Sequence, residues 1–354
     1  MATHEAYVKL AESTGHKDSE LLHRILERAM KPEEALFLSA LPASNADLAA
    51  KFKMTEKEVE DKMLQFARRG LVVTSRKGTR FPRDLGTLHD NILASVPELI
   101  PEGIGQLWMD FYDSGWWKEI VSGLTQLPIP ALRVIMPMKA MPAGFKPLPY
   151  ESAEEIIMAH KDLISIRRCC CRVGMQSSKQ GTCKHPILTC TQFGRRAEYD
   201  LYRGSGKKVS ADEAITIHHE ATSAGLTPTV TNISVMQGLE FICYCCADAC
   251  LVLHPILRGD KVMAALRPSR FLPKVDQKLC RAGCQDCVQI CGFGAIEMKS
   301  VPGSKAPVAT IIKEKCVGCG LCAIKCGPKA IAMELVQPPE FIPETLVGPS
   351  SIVH

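Results

Sequence analysis

No stretch of this 354-residue chain approaches the ~20 consecutive apolar residues that a membrane-spanning helix needs, which leaves it without a candidate span. The segment from Met1 to Leu22 carries Glu5, Glu12, Asp18 and Glu20 and lacks an apolar core. It does not read as a secretory signal, and a cytoplasmic location is expected. Nucleotide loops are missing as well. Gly204-Ser205-Gly206 comes nearest to G-x-G-x-x-G but lacks the third glycine, and there is neither a P-loop nor a G-x-S-x-G. A bound dinucleotide, flavin or nucleoside triphosphate is therefore not expected. Charge of one sign is scarce: 43 Lys and Arg face 38 Asp and Glu, and a net +5 does not by itself argue for nucleic acid. Once the cysteines are set aside, no catalytic base or nucleophile stands out.

What the chain has in excess is cysteine, seventeen in all. A small secreted chain would use them as disulfides, whereas a large one without a signal more often uses them to hold metal. Adjacent thiols such as Cys169, Cys170 and Cys171 would scramble under oxidation, so a strongly reducing, anaerobic cell is expected.

Eight of these cysteines form two tandem tetrads, Cys280-x3-Cys284-x2-Cys287-x3-Cys291 and Cys316-x2-Cys319-x2-Cys322-x3-Cys326. Soft thiolates suit iron–sulfur clusters or zinc rather than magnesium or calcium. Zinc ribbons also use paired C-x2-C, but the run C-x2-C-x2-C-x3-C is the iron–sulfur spacing. A shift of 35 positions lays Cys284, Cys287, Cys291, Ala295, Ile296 and Met298 on Cys319, Cys322, Cys326, Ala330, Ile331 and Met333. The stretch is an internal duplication. Only Cys280 falls out of phase, because one extra residue follows it.

Residues 271–336 resemble a two-cluster bacterial ferredoxin domain. The resemblance implies two 4Fe–4S clusters, one on Cys280, Cys284, Cys287 and Cys326, the other on Cys316, Cys319, Cys322 and Cys291. The proline that usually follows each fourth cysteine is replaced by Gly292 and Gly327. Glycine leaves an N–H free to donate toward sulfur, which predicts a modest upward shift of potential. From 273 to 336, nine Lys or Arg outnumber five Asp or Glu. Nearby cations favour the reduced, more anionic cluster and would steer an acidic partner. The alternative is a solvated basic face.

Upstream, residues 1–19 read as an N-terminal arm and 20–90 as a winged-helix-like domain. Helices are predicted around Leu21–Ile25, over Glu33–Leu41 behind Pro32, over Asn45–Phe52 capped by Ser44, and over Glu56–Arg69 capped by Thr55 and stopped by Gly70. Strands Leu71–Thr74 and Thr79–Pro82 flank Ser75-Arg76-Lys77-Gly78 as a wing. A DNA-recognition helix would not carry Glu56, Glu58, Glu60 and Asp61 at its start, since these repel phosphate. Protein docking or homodimerisation fits better, although Arg76, Lys77, Arg80 and Arg83 could touch a backbone. Residues 91–150 read as a connector. It holds all three tryptophans, Trp108, Trp116 and Trp117, as a core-facing helix or a partner surface. A proline-rich extended stretch follows, with one strand over Ala131–Met136.

Residues 151–270 carry the other nine cysteines. A helical stripe runs from Glu151 to Ser165, and Ser210 with Glu213 forms a capping box for a helix through Ala224. A β-rich run, Leu226–Ser234, leads to the second cysteine group. One helix and one strand are expected to bring Cys169–Cys190 and Cys243–Cys250 together. The metal ligands expected here are Cys169, Cys171, Cys183, Cys190, Cys243, Cys245, Cys246 and Cys250. They would hold a third 4Fe–4S cluster, or zinc, with ligands drawn from Cys171, Cys183, Cys190 and the Cys243–Cys250 group. His185 and His254 lie close by in sequence but are not counted as ligands.

The element order and the pattern CCR…C…C…CxCC…C resemble a family of multi-cluster 4Fe–4S proteins of anaerobes. These have a winged-helix-like N-terminus, a C-x-C-R module and a two-cluster ferredoxin domain. C-x-C-R maps to Cys169, Cys171 and Arg172, with Cys170 as an addition. Members are regarded as electron carriers serving redox enzymes. The expectation is a multidomain α+β protein: a winged-helix-like domain, a central α/β cysteine-rich module and a ferredoxin-like domain, then an extended tail over 337–354. It would relay single electrons to or from a flavin- or metal-dependent oxidoreductase rather than act as a self-contained enzyme. The alternatives are a redox-sensing transcription regulator and an enzyme with an open iron in the middle module.

Overall fold

The computed structural model describes residues 2–75, 78–232, 240–281, 283–301 and 306–342. Arg76 and Lys77 of the predicted wing, Ser234, the inserted Ala282, Lys305 and the tail from 343 to 354 lie outside them. The chain is mixed α/β with several separate sheets, compatible with the α+β class.

The helices predicted here form, and one that was not predicted precedes them. They are α1 (Ala2–Ser13), α2 (Glu20–Ala29), α3 (Pro32–Leu38), α4 (Asn45–Phe52) and α5 (Glu56–Arg68), followed by the hairpin β1 (Val73–Ser75) and β2 (Gly78–Arg80). Ser44 Oγ accepts the Asp47 N–H, and Thr55 with Glu58 closes a reciprocal capping box. Residues 2–13 are not an arm. Tyr7, Leu10 and Ala11 sit at helical spacing and are buried in one core with Leu22, Ile25, Phe37, Leu38 and Phe66. That core runs on without a break through α6 (Leu85–Leu93), α7 (Ile104–Phe111) and the bend before α8 (Trp117–Thr125). Trp108 and Trp116 are buried, and only Trp117 is half-exposed, so the aromatic run serves the interior. Residue 90 therefore marks no break in the packing. Gly70, at φ +77°, is required where the chain turns beneath α6, because a Cβ there would overlap the Asn91 carbonyl.

A seven-stranded sheet follows. Its members are β3 (Leu132–Val134), β4 (Ile164–Arg168), β5 (Leu188–Phe193), β6 (Gly206–Val209), β7 (Thr227–Thr231), β8 (Phe241–Cys245) and β9 (Leu266–Arg267), in spatial order β6-β4-β5-β8-β7-β3-β9. All neighbours are antiparallel except β3 and β9. The strand expected in the connector thus belongs to this sheet, which joins the connector's second half to the middle module. The helical stripe drawn to Ser165 ends early. It forms α9 (Ala153–Ala159), and Ile164–Arg168 becomes β4, where Ile164 and Ile166 fill one face. Helix α10 (Cys170–Gln176) starts within the cysteine triplet. Between Cys190 and Cys243 the described residues form two helices, α11 (Gly194–Tyr202) and α12 (Ala211–Ser223), with β6 and β7, rather than one of each. Helices α13 (Leu253–Arg258) and α14 (Val262–Ala265) complete the unit.

The C-terminal duplication folds as interleaved halves. Strand β10 (Phe271–Val275), α15 (Asp286–Ile290) and β11 (Ile296–Lys299) form one half; β12 (Val308–Ile311), α16 (Leu321–Lys325) and β13 (Ile331–Leu335) form the other. The first strand pairs with the last, Phe271 opposite Leu335, and the two inner strands pair with each other, Ile296 opposite Ile311. Among the described residues no helix is long and apolar enough to cross a membrane.

Candidate metal centres

The interleaving builds two separate cavities. One is lined by Cys280, Cys284, Cys287 and Cys326 with Ala309, Pro328 and Ile331. The other is lined by Cys291, Cys316, Cys319 and Cys322 with Phe293, Val317 and Met333. Each cavity therefore takes three cysteines from one tetrad and the fourth from the other, the grouping that the resemblance implied. Among the described residues, three groups have ligand atoms all within 4.8 Å of one another, and none includes any of these eight cysteines. A single tetrahedral zinc, with Zn–S near 2.3 Å, would hold its sulfurs about 3.8 Å apart.

Local backbone explains these positions. Gly318 (φ +66°) lets the Cys316–Cys319 turn press against β10, where a Cβ would overlap Phe271 O and Ser269 Oγ. Ser269 Oγ in turn donates to Gly318 O at 2.6 Å. The backbone N–H of Ala295 reaches Cys291 Sγ at 3.4 Å, and that of Ala330 reaches Cys326 Sγ at 3.2 Å. These two alanines are duplication partners, so the repeat extends to its sulfur hydrogen bonds. The glycines after the fourth cysteines were expected to supply such donors; the N–H groups seen at these sulfurs come from four residues downstream of each cysteine. Burial pushes the Cys319 thiol up to about 12, with Cys291 and Cys316 adding to it, and raises Cys322, Cys316 and Cys287 in the same way. Metal loading there must displace protons.

The middle cysteines form a contiguous group of seven, Cys169, Cys170, Cys171, Cys190, Cys243, Cys245 and Cys250, with the Cys170 and Cys171 sulfurs 4.0 Å apart. Cys169 touches Cys171, Cys171 touches Cys250, and the Cys250 and Cys245 sulfurs are 3.3 Å apart. Cys243 faces Cys190 and acts on Cys245 and Cys250 as well. Strand pairing brings this about: Arg167 lies opposite Cys190, Thr191 opposite Ile242 and Thr227 opposite Cys245. Polar neighbours reach the sulfurs, with Leu251 N–H at 3.2 Å from Cys171, Gln192 Nε2 at 3.2 Å from Cys190 and Thr229 Oγ1 at 3.4 Å from Cys245. Hydrogen bonds from Cys170 and Cys171, with the Arg172 guanidinium nearby, hold the Cys169 thiol well below its ordinary value. Burial raises Cys246 strongly, and contact with Cys190 raises Cys243.

Cys183 and Cys246 pair at one end of this group, where Cys250 acts on Cys246. Their sulfurs are 3.9 Å from each other and share a group with Asp248. Of the ligands expected for a third centre, Cys183 is thus placed beside Cys246 and Asp248. Cys170 also donates to Asp90 Oδ1 at 3.0 Å, and it and Cys171 both pack on the N-terminal core. His254 stacks on Tyr112, which accounts for it without a metal. Arg172, 1 % exposed, binds the Tyr244 carbonyl at 2.6 Å and the Thr189 hydroxyl, so the arginine of C-x-C-R clamps the two cysteine strands together.

Cys243, Cys245, Cys250, Cys291, Cys316 and Cys319 border one apolar core with Leu132, Val134, Phe293 and Val317. The second cavity thus abuts the middle thiols, and Cys291 also borders the core around Cys287 and Cys322. Sequence reasoning missed one further polar group: Glu154, His218 and His219 converge between α9 and α12. The adjacent histidines in α12 were the only sequence trace of it. No protein-family model, curated protein or solved structure matches the chain.

Proposed function

We propose that the chain is an iron–sulfur electron-transfer protein, free or as a subunit. The two cavities of the duplicated unit would each hold a 4Fe–4S cluster, and thiols of the middle group a third. The observation that carries this reading is the crossed lining of the cavities, Cys280, Cys284, Cys287 with Cys326 and Cys316, Cys319, Cys322 with Cys291. The residues fit such a group in three respects: an all-thiolate donor set, sulfurs outside every single-ion grouping, and backbone N–H donors at two sulfurs.

When bound, clusters of this kind accept and release single electrons. The protein's own part is to hold and insulate them. Val317, Phe293 and Leu321 wall the inner cavity with apolar surface, which excludes water and raises the influence of nearby dipoles. The shared apolar core supports a linear order, with the Cys280 cavity outermost, the Cys291 cavity next and the middle thiols innermost. Lys274, Lys299, Lys313, Lys315, Lys325 and Lys329 give the unit a basic surface, which suits an acidic oxidoreductase partner, flavin- or metal-dependent. The helices and hairpin of residues 32–80 support a winged-helix reading, with docking or homodimerisation as its role rather than DNA binding. The α5 start carries Glu56 and Glu58 in the first turn, and Lys57 is tied to Asp61 at 3.0 Å.

Anaerobic iron and sulfide analysis tests the proposal. About twelve irons per chain, with visible absorbance bleached by dithionite, is the expected result. About eight irons would confine the clusters to the duplicated unit, zinc in the middle group would replace the third cluster, and colourless protein would sink the reading.

A further inference from the structure

We infer that Glu154, His218 and His219 form a three-ligand site for one borderline divalent metal ion, separate from every cysteine group. Glu154 lies in the first turn of α9, and the two histidines lie near the middle of α12. The ligand atoms are all within 4.8 Å of one another. His219 Nε2 is 3.2 Å and His218 Nε2 is 3.6 Å from the same carboxylate oxygen, Glu154 Oε1. An ion bound at 2.0–2.2 Å to nitrogen and oxygen in tetrahedral geometry sets its donor atoms about 3.4 Å apart. The two observed separations bracket that value.

A second observation points to a ligand. His218 is 0 % exposed, and its Nε2 has no hydrogen-bond partner among the described residues. At 3.6 Å the carboxylate is too far to satisfy it. An unpaired buried ring nitrogen is costly, and an ion between it and Glu154 removes the cost. The rest of the ring is prepared for that role. His218 Nδ1 is 3.2 Å from Tyr244 Oη, a partner that orients the imidazole with Nε2 toward the carboxylate. Both Glu154 oxygens lie within reach of the Met138 N–H, at 3.2 and 3.3 Å, which fixes the carboxylate plane.

Two imidazoles and one carboxylate suit zinc or ferrous iron and do not suit magnesium or calcium. Glu154 is 8 % exposed and His219 is half-exposed, so the set is buried on one side and open on the other. An ion there pins α9 to α12 and keeps a coordination position toward solvent.

The test uses the cluster-loaded protein under anaerobic conditions with zinc as the probe. Equilibrium dialysis against micromolar zinc is followed by metal analysis and zinc-edge absorption spectroscopy. One equivalent beyond the iron is expected, with nitrogen and oxygen neighbours alone at about 2.0–2.1 Å. His219→Ala and Glu154→Gln should each weaken zinc binding at least ~10-fold while iron and sulfide contents stay unchanged. His219 is half-exposed, so its substitution leaves the core intact. No zinc uptake, sulfur neighbours near ~2.3 Å, or equal retention by both variants would overturn the inference.

Discussion

Arg270 and Glu151 form a buried two-point ion pair, Nε to Oε1 at 2.6 Å and Nη2 to Oε2 at 3.0 Å, with side chains only 4 % and 1 % exposed. The pair joins the residue preceding β10 to the residue preceding the α9 cap, and so fastens the duplicated unit to the central sheet. Its hydrogen bonds to Glu151 push the Arg270 guanidinium above its ordinary value. Removing one partner leaves a desolvated charge, which costs about 3–5 kcal/mol, whereas replacing both by apolar residues is closer to neutral. Denaturant midpoints should therefore fall sharply for Glu151→Gln and for Arg270→Met, and recover in part when Glu151→Leu and Arg270→Met are combined.

Substitution of single cysteines reads the crossed lining directly. Cys326→Ser should disturb the centre that contains Cys280, Cys284 and Cys287, and Cys291→Ser the one that contains Cys316, Cys319 and Cys322. Electron paramagnetic resonance of the reduced proteins, with iron counts, distinguishes them. Loss of the Cys316 centre alone in Cys326→Ser would contradict the proposed ligation.

Within the middle module, Cys250 and Cys183 should behave differently. Cys250 touches both Cys171 and Cys245, whereas Cys183 keeps company with Cys246 and Asp248. Cys250→Ser is expected to lower iron by about four per chain. Cys183→Ser should leave the iron count unchanged. Equal losses would merge the two groups into one centre.

Acid should loosen the N-terminal helices through Glu34. Burial alone would raise its carboxyl, but the Arg69 guanidinium at 2.6 and 3.0 Å and the Lys31 N–H at 2.7 Å hold it below the ordinary value of 4.5. With the folded value depressed, the unfolded chain takes up the proton first as pH falls. The stabilisation is complete above about pH 4.5 and is lost as pH drops through the folded value. Urea midpoints across that range should slope more steeply for the native protein than for Glu34→Gln, whose partner bond cannot titrate.

Local signals were legible wherever one side chain decides the backbone. Ser44, Thr55 and Ser210 cap the helices their positions announced, and the 35-residue repeat marked both halves of the duplicated unit. Less legible was whatever tertiary packing decides. Ile164 lies within the span read as a helix, yet pairing of β4 between β5 and β6 draws it, with Ile166, into a sheet. Tyr7, Leu10 and Ala11 were too few to announce a helix until a core stood ready to receive them. In the middle module, spacing alone could not say which of nine cysteines meet. Strand register does that by laying Cys190 beside β8 and leaving Cys183 on the loop before β5. The Glu154 group spans 65 residues of sequence, beyond the reach of any local pattern.

The pairing of β10 with β13 has a consequence for how the protein is made. A ribosome that has just released Lys299 has delivered Cys280, Cys284, Cys287 and Cys291, yet Cys326 and the partner strand of Phe271–Val275 do not exist. Neither chamber has all its walls until Leu335 emerges and the outermost strands meet. Assembly of this unit is therefore all-or-none and late, and a prematurely truncated product retains thiols without any finished compartment to protect them.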